Sequence, residues 1–420
     1  MGILDKLKKK KEKEEKYSGR YFILSSENYF DKIINSLCNT FGISSDGEGN
    51  TINLNNNDIH IKIGVFCDSN NDDEKELIKD QVGRVYGHFY EVETEKTDIK
   101  TNLLYKLDLT HGLIIVNYVF DNENVEEKKA MIEYPLIGVL KEIDGIILFS
   151  GEEDGLYCPS YNDDKALELI LSDGGKSGLQ SYLPYEEFTM TVDKNDITEE
   201  QINRRLKSRK FVAEKSIYVP AWYPVIESKE KSKCRSAKEI AERAVSFMIV
   251  ALYSECLLGE NMSVEDAYDF VKEFIERFDA EKFLSPKEKE YINNTESTEQ
   301  ERISYSWQYE NLWVMEWALG FTDELDFPDH ICDVPLTVRL LKNYESIEDI
   351  VQHSKPKSEE ELLDECDLIF CLDWACVDTR IHRLPAPAGM DGGVVLERHK
   401  CLNWLVGYEG SEWDDITADT

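Results

Sequence analysis

The spacing of apolar residues changes part-way along this chain, and that change restricts its fold more than any other feature. Between residues 20 and 180, short runs rich in Ile and Val alternate with stretches of period 3.6; from Ser236 onward the helical period is almost all that remains. In the first region "RYFILS", "DIHIKIGVF", "HGLIIVNYVF" and "DGIILFSG" read as strands. "SENYFDKIINSLCNTFG" reads as a helix capped by Ser26, with Phe30, Ile33, Ile34, Leu37 and Phe41 on one face. "DDEKELIKDQVGRVYGHFYEV" and "ENVEEKKAMIEYPLIGVLKEI" read as two further helices. Strands separated by helices predict an α/β domain with one mixed sheet, for which a ferredoxin-like order is one solution.

The second region carries its own helix starts. Ser236 stands three residues before Glu239, Ser263 three before Asp266, and Ser285 directly precedes Pro286. A Ser that caps the first turn, an acid three residues on, and a Pro at the first helical position all satisfy or spare the unpaired N–H groups there. The chain therefore reads as α+β: a basic, flexible leader over residues 1–19, an α/β domain over 20–180, a linker and extended arm over 181–235, and an all-helical domain over 236–420. The linker includes a basic helical stretch from Thr198 to Arg209 and the Pro-containing arm "VPAWYPVIESKEKSKC".

With 420 residues and 41% hydrophobic content, the chain has enough material for two cores. The net charge of −36 argues against a nucleic-acid partner, because phosphate binding needs clustered Lys and Arg. It suits a soluble cytoplasmic protein or one that meets a basic partner. The leader is the exception: residues 1–20 hold eight Lys/Arg and four Asp/Glu, and Met1, Ile3, Leu4 and Leu7 would edge a short helix. That leaves a minor route to peripheral membrane contact, although no apolar run is long enough to span a bilayer. The ten cysteines form no CxxC pair, and Cys366, Cys371 and Cys376 lie five apart, so each is turned about 140° from the last on a helix. They read as reduced, buried thiols, and neither a metal site nor a cofactor is expected. "DGGKSG" at Asp173–Gly178 is a turn: a phosphate loop needs a Gly five residues before Gly175, where Ile170 stands.

Polar residues on apolar faces mark the candidate site. In "ISYSWQYENLWVMEWALG", Ile303, Trp307, Glu310, Trp313 or Val314, and Trp317 share a stripe, and Glu310 is the carboxylate among aromatics. From Ser358 to Leu384 the apolar face is Leu363, Cys366, Phe370, Trp374, Val377 and Ile381, with Asp373 and Asp378 beside it and Arg380 and His382 at the end. On the last helix His399 and Asn403 lie one turn apart on a stripe with Leu396 and Val406, next to Arg398. Together with Asp414 these suggest one cluster: Glu310, Asp378, Arg380, Arg398, His399, Asn403 and Asp414. Trp307, Trp313 and Trp374 are the candidate pocket aromatics. The cluster has three readings: a structural network that sets helix registry, a ligand pocket, or a catalytic site with His399 as acid or base and a carboxylate orienting it.

"CRSAKEIAERA", "SWQYENLWVMEWALGF", "FPDHICDVP", "LDWACVDTR" and "APAGMDGGVVLERHKCLNWLVGYEGSEWDDITADT" occur in this order. Over about Ile197–Thr420 they resemble the domain of unknown function 4272. The resemblance implies a bacterial cytoplasmic protein and carries over no reaction, ligand or catalytic residue. With no recognisable catalytic motif, the leading expectation is a non-enzymatic interaction module whose acidic surface meets a basic partner, such as a toxin it neutralises. The alternative is an enzyme or small-ligand binder that uses the polar cluster of the helical domain.

Overall fold

A computed structural model describes residues 16–42, 50–56, 59–149, 153–160, 162–184, 197–259 and 262–420. The chain divides into two compact units, Met1–Tyr185 and Glu186–Thr420. Most of the basic leader lies outside the described residues, including the apolar edge from Met1 to Leu7. Its last four residues do not: the first strand already begins at Lys16.

The first unit runs β1 (Lys16–Ser25), α1 (Phe30–Phe41), β2 (Thr51–Asn56), β3 (Ile59–Cys67), α2 (Asp72–Glu91), α3 (Thr97–Asp108), β4 (Gly112–Asp121), α4 (Val125–Glu142), β5 (Gly145–Phe149), β6 (Gly155–Pro159) and β7 (Leu167–Ser172). The seven strands form one sheet in the order β2-β3-β4-β1-β5-β6-β7. Every neighbouring pair is antiparallel, with Phe22 of central β1 opposite Ile115 on one side and Leu148 on the other. The expected mixed sheet is thus corrected, and with it the ferredoxin-like order, which needs a parallel pair of neighbours. The physical reason is a second helix. One helix between β3 and β4 would bring the chain back for a parallel strand; α2 followed by α3 returns it twice, so β4 enters antiparallel. Strands that do share a direction, β4 and β5, are separated by β1.

Alternation decides which face is buried. Ile61, Ile63 and Val65 of β3 and Ile114, Val116, Tyr118 and Phe120 of β4 pack with Ile33 and Leu37 of α1 and Ile132, Leu136 and Val139 of α4. Ser26 does not cap α1, which starts at Phe30 behind Tyr29. The Ser26 hydroxyl instead donates to Asp144 and accepts from the buried ammonium of Lys106. The Asp173–Gly178 stretch is the turn leaving β7. Gly175 has φ +76°, and a Cβ there would fall 2.0 Å from the Glu93 carbonyl oxygen.

The second unit is helical: α5 (Glu199–Glu214), α6 (Ala237–Leu258), α7 (Val264–Phe278), α8 (Pro286–Asn293), α9 (Glu299–Ser306), α10 (Gln308–Ala318), α11 (Val334–Leu341), α12 (Ile347–His353), α13 (Glu359–Ile381) and α14 (Gly392–Val406). Ser236, Ser263 and Ser285 cap α6, α7 and α8 as their spacing predicts, and Thr198, Thr298 and Ser358 complete capping boxes on α5, α9 and α13. The aromatic stretch expected as one helix is two, α9 and α10, meeting at Trp307. Helix α6 is buried on nearly every side and forms the centre of the core. Among the described residues no helix is long and apolar enough to cross a membrane.

Residues 197–235 are not a linker. Val212 of α5, Ile217 just after it, and Val219 and Tyr223 of the arm belong to the same core as α6 and α13. The arm is stitched to the end of α14, where Lys233 and Arg235 donate their N–H groups to the carbonyls of Val406 (3.2 Å) and Leu405 (2.8 Å). Gly407 makes this approach feasible: at φ +74° a Cβ would sit 2.5 Å from the Lys233 carbonyl oxygen.

Candidate functional site

Helices α13 and α14 run in opposite directions, since Cys366 meets Asn403 while Asp373 meets His399. Helix α14 is started by Asp391, whose carboxylate accepts from the N–H groups of Gly393 and Val394, and is ended by Gly407. That fixed span places His399 and Asn403 on the side that faces α13 and the arm.

A cavity of about 510 Å³ opens there. Its inner wall is Leu363, Cys366 and Phe370 of α13 with His399, Asn403 and Val406 of α14; the arm from Val225 to Lys233, Tyr408, Glu409 and Asp419 form its rim. His399 and Asp373 are both buried, and Nδ1 of the ring lies 2.7 Å from Asp373 Oδ2. The carboxylate accepts there, so Nδ1 carries hydrogen and Nε2 of a neutral ring is left as an acceptor. Among the described residues the ring makes no other hydrogen bond, and it lies against the Phe370 ring with centroids 5.7 Å apart. Asn403 is committed more fully: its amide donates to the Thr417 carbonyl (3.0 Å), and its oxygen receives the Cys366 thiol. Burial pushes that thiol up, so Cys366 is a neutral donor and not a nucleophile. Ser232 at the rim donates its hydroxyl to the Ser228 carbonyl.

Residues 204–416, which contain this cavity, match the family model described as domain of unknown function DUF4272. The chain belongs to the DUF4272 family. No curated protein and no solved structure matches it.

Within the DUF4272 region the residues singled out from the sequence separate into several groups. Glu310 and Arg398 are paired: Arg398 Nε donates to Glu310 Oε2 (3.3 Å) and Nη1 to the Asp326 carbonyl, while the other Glu310 oxygen accepts from the Cys332 N–H. Asp378 bonds His382 one turn further along α13, and Arg380 beside it is exposed. Asp414 accepts from the Lys287 N–H, away from the others. His399 and Asn403 alone line the 510 Å³ cavity. Of the aromatics, Trp313 is buried in the core, Trp374 packs against Tyr218 and Tyr223, and Trp307 lines a different cavity with Glu310. The single predicted cluster is therefore corrected: periodicity identifies the face a residue is on, not the neighbour it meets.

Two buried polar positions were not in that cluster. Asp373 was visible only as an acid flanking the apolar face of its helix. The second is a buried network around Asp367. Arg205 of α5 donates Nε and Nη2 to the two Asp367 oxygens (3.0 and 2.8 Å), and Nη1 and Nη2 also reach the carbonyls of Tyr223 and Pro224. Ser208 adds a third donor to Asp367 (2.7 Å). This pair, about 1% exposed on each side, ties α5 and the arm to α13.

Proposed function

We propose that the helical unit binds a small organic ligand in the 510 Å³ cavity, with His399 as its polar anchor. One observation carries this reading: Asp373 holds the imidazole of the cavity-lining His399 through Nδ1, and Nε2 has no hydrogen-bond partner among the described residues. The volume falls within the range of small-molecule sites, and the inner wall is mostly apolar with few placed polar groups. The ligand class that fits is a compact, largely apolar molecule with one hydrogen-bond donor for Nε2. Among the described residues no activated nucleophile stands beside the ring: the Cys366 thiol is held neutral and the Ser232 hydroxyl is spent on a carbonyl. Binding is therefore the better-supported role over covalent catalysis.

The test is ligand-observed NMR with a set of fragments bearing hydroxyl or amide donors, on the parent chain and on His399→Ala. Fragments that bind the parent and are lost from a folded His399→Ala support the reading. A folded variant that keeps every hit sinks it.

A second reading rests on charge. A net charge of −36 speeds association with a basic partner, and a basic toxin is the kind of protein such a surface would neutralise. Pull-downs at low salt that recover no basic protein across growth conditions would count against it. We further infer a bacterial cytoplasmic setting for the chain. All ten cysteines are free thiols, as a reducing compartment favours.

A further inference from the structure

We propose that the groove between α6, α10 and α11 is a second ligand site, separate from the His399 cavity, and that it takes an anionic amphiphile: an apolar chain ending in a carboxylate. The groove encloses about 790 Å³. Leu252, Leu258, Trp307, Ile331, Val334 and Val338 make it predominantly apolar. Its mouth leaves large apolar side chains in water, with Ile331 58% and Leu258 39% exposed. An exposed apolar lip around a concave site is a mark of something that binds. Trp307 packs against the start of α14: a Cβ on Gly393 would fall 2.9 Å from its ring, so glycine is what admits the indole there.

The charges select the head group. The floor carboxylate, Glu310, is already neutralised by Arg398 and bonded by the Cys332 N–H. Glu255 accepts the Tyr309 hydroxyl. The cations, by contrast, are unspent. Arg339 in the last turn of α11 and Lys342 at its C-cap both line the groove, and among the described residues neither side chain has an ion pair or hydrogen bond. Arg339 and Lys342 stand three residues apart and both are exposed. At the edge of an apolar groove they are placed to receive a carboxylate whose tail lies along Trp307 and Val338.

The experiment titrates the full chain with dodecanoate below its micelle concentration, read by calorimetry and tryptophan fluorescence. The exposed double variant Arg339→Glu/Lys342→Glu should fold as the parent does and bind dodecanoate at least tenfold more weakly. His399→Ala should bind it unchanged, which keeps this site distinct from the one proposed above. Any of four results overturns the proposal. Dodecanoate fails to bind saturably, or binds the double variant as well as the parent. Dodecylammonium binds more tightly than dodecanoate, which would make Glu255 the deciding group. Sedimentation shows a dimer that Ile331→Asp dissolves, which would make the groove a contact between two copies.

Discussion

Helix α13 carries two buried aspartates, and they end in opposite situations. Asp367 receives three donors, two from Arg205 and one from Ser208, and Nη1 and Nη2 of Arg205 also reach main-chain carbonyls. Every nitrogen and oxygen of the two charged groups has a hydrogen-bond partner. Asp373 receives one ring hydrogen from His399, and that ring lines a cavity with its other nitrogen unpartnered among the described residues. The difference teaches how to tell a structural polar group from a site in a helical core. Both are buried and both are paired, so burial and pairing do not separate them. What separates them is whether the partner is saturated.

Substitutions that break one group and spare the other test this contrast. The largest effect is expected at Asp367→Ala, which strands the Arg205 guanidinium in the core and should lower stability by about 3–5 kcal/mol in denaturant melts. Converting both partners, as Arg205→Met with Asp367→Leu, should recover most of that loss; if the double variant is as unstable as the single one, the network is not a closed pair. Glu310→Ala is expected next, at about 3 kcal/mol, since Arg398 keeps the Asp326 carbonyl as one partner.

Glu316 sharpens the contrast from the other side, because its two carboxyl oxygens are buried with no partner among the described residues. Burial raises its pKa well above the usual carboxylate range. The folded chain therefore holds a proton that the unfolded chain has released. The stability this group supports is complete below the ordinary Glu value and is lost as pH climbs toward the folded one. Glu316→Met should raise stability at about pH 8 by about 1–3 kcal/mol and flatten the decline above about pH 5. A melt series in which the variant keeps the parent's pH slope would refute the assignment. The smallest effect on stability is expected at Asp373→Asn, about 1 kcal/mol, because a hydrogen bond to the ring survives. Fragment binding in the cavity should nonetheless fall at least tenfold, since the amide no longer dictates which ring nitrogen carries hydrogen. A loss of stability as large as that of Asp367→Ala, with binding intact, would erase the distinction between the two aspartates.

Much of the fold was legible because its signals are local. Ser236, Ser263 and Ser285 cap helices through bonds to residues three positions away, and that spacing is visible in any sequence that has it. The antiparallel sheet was hidden by one element. Helix α3, "TDIKTNLLYKLD", is weakly amphipathic, and without it the turn-back of β4 cannot be foreseen. The site was legible in part. His399 and Asn403 stand out on an apolar stripe, and both line the cavity. Their separation from Glu310, Asp378 and Asp414 was not legible, because each of those found a nearer partner in Arg398, His382 or Lys287.

The sequence by itself determined where the helical half begins, where many of its helices start and which residues are too polar for the faces they occupy. These depend on contacts within a turn or two of the chain. Only the tertiary structure decided which of those polar residues are spent and which are left over. Asp367 meets Arg205 across 162 residues of sequence, and His399 meets Asp373 across 26. Such pairings depend on helix packing, where the directional demands of hydrogen bonds are met or missed by side chains that no local period brings together.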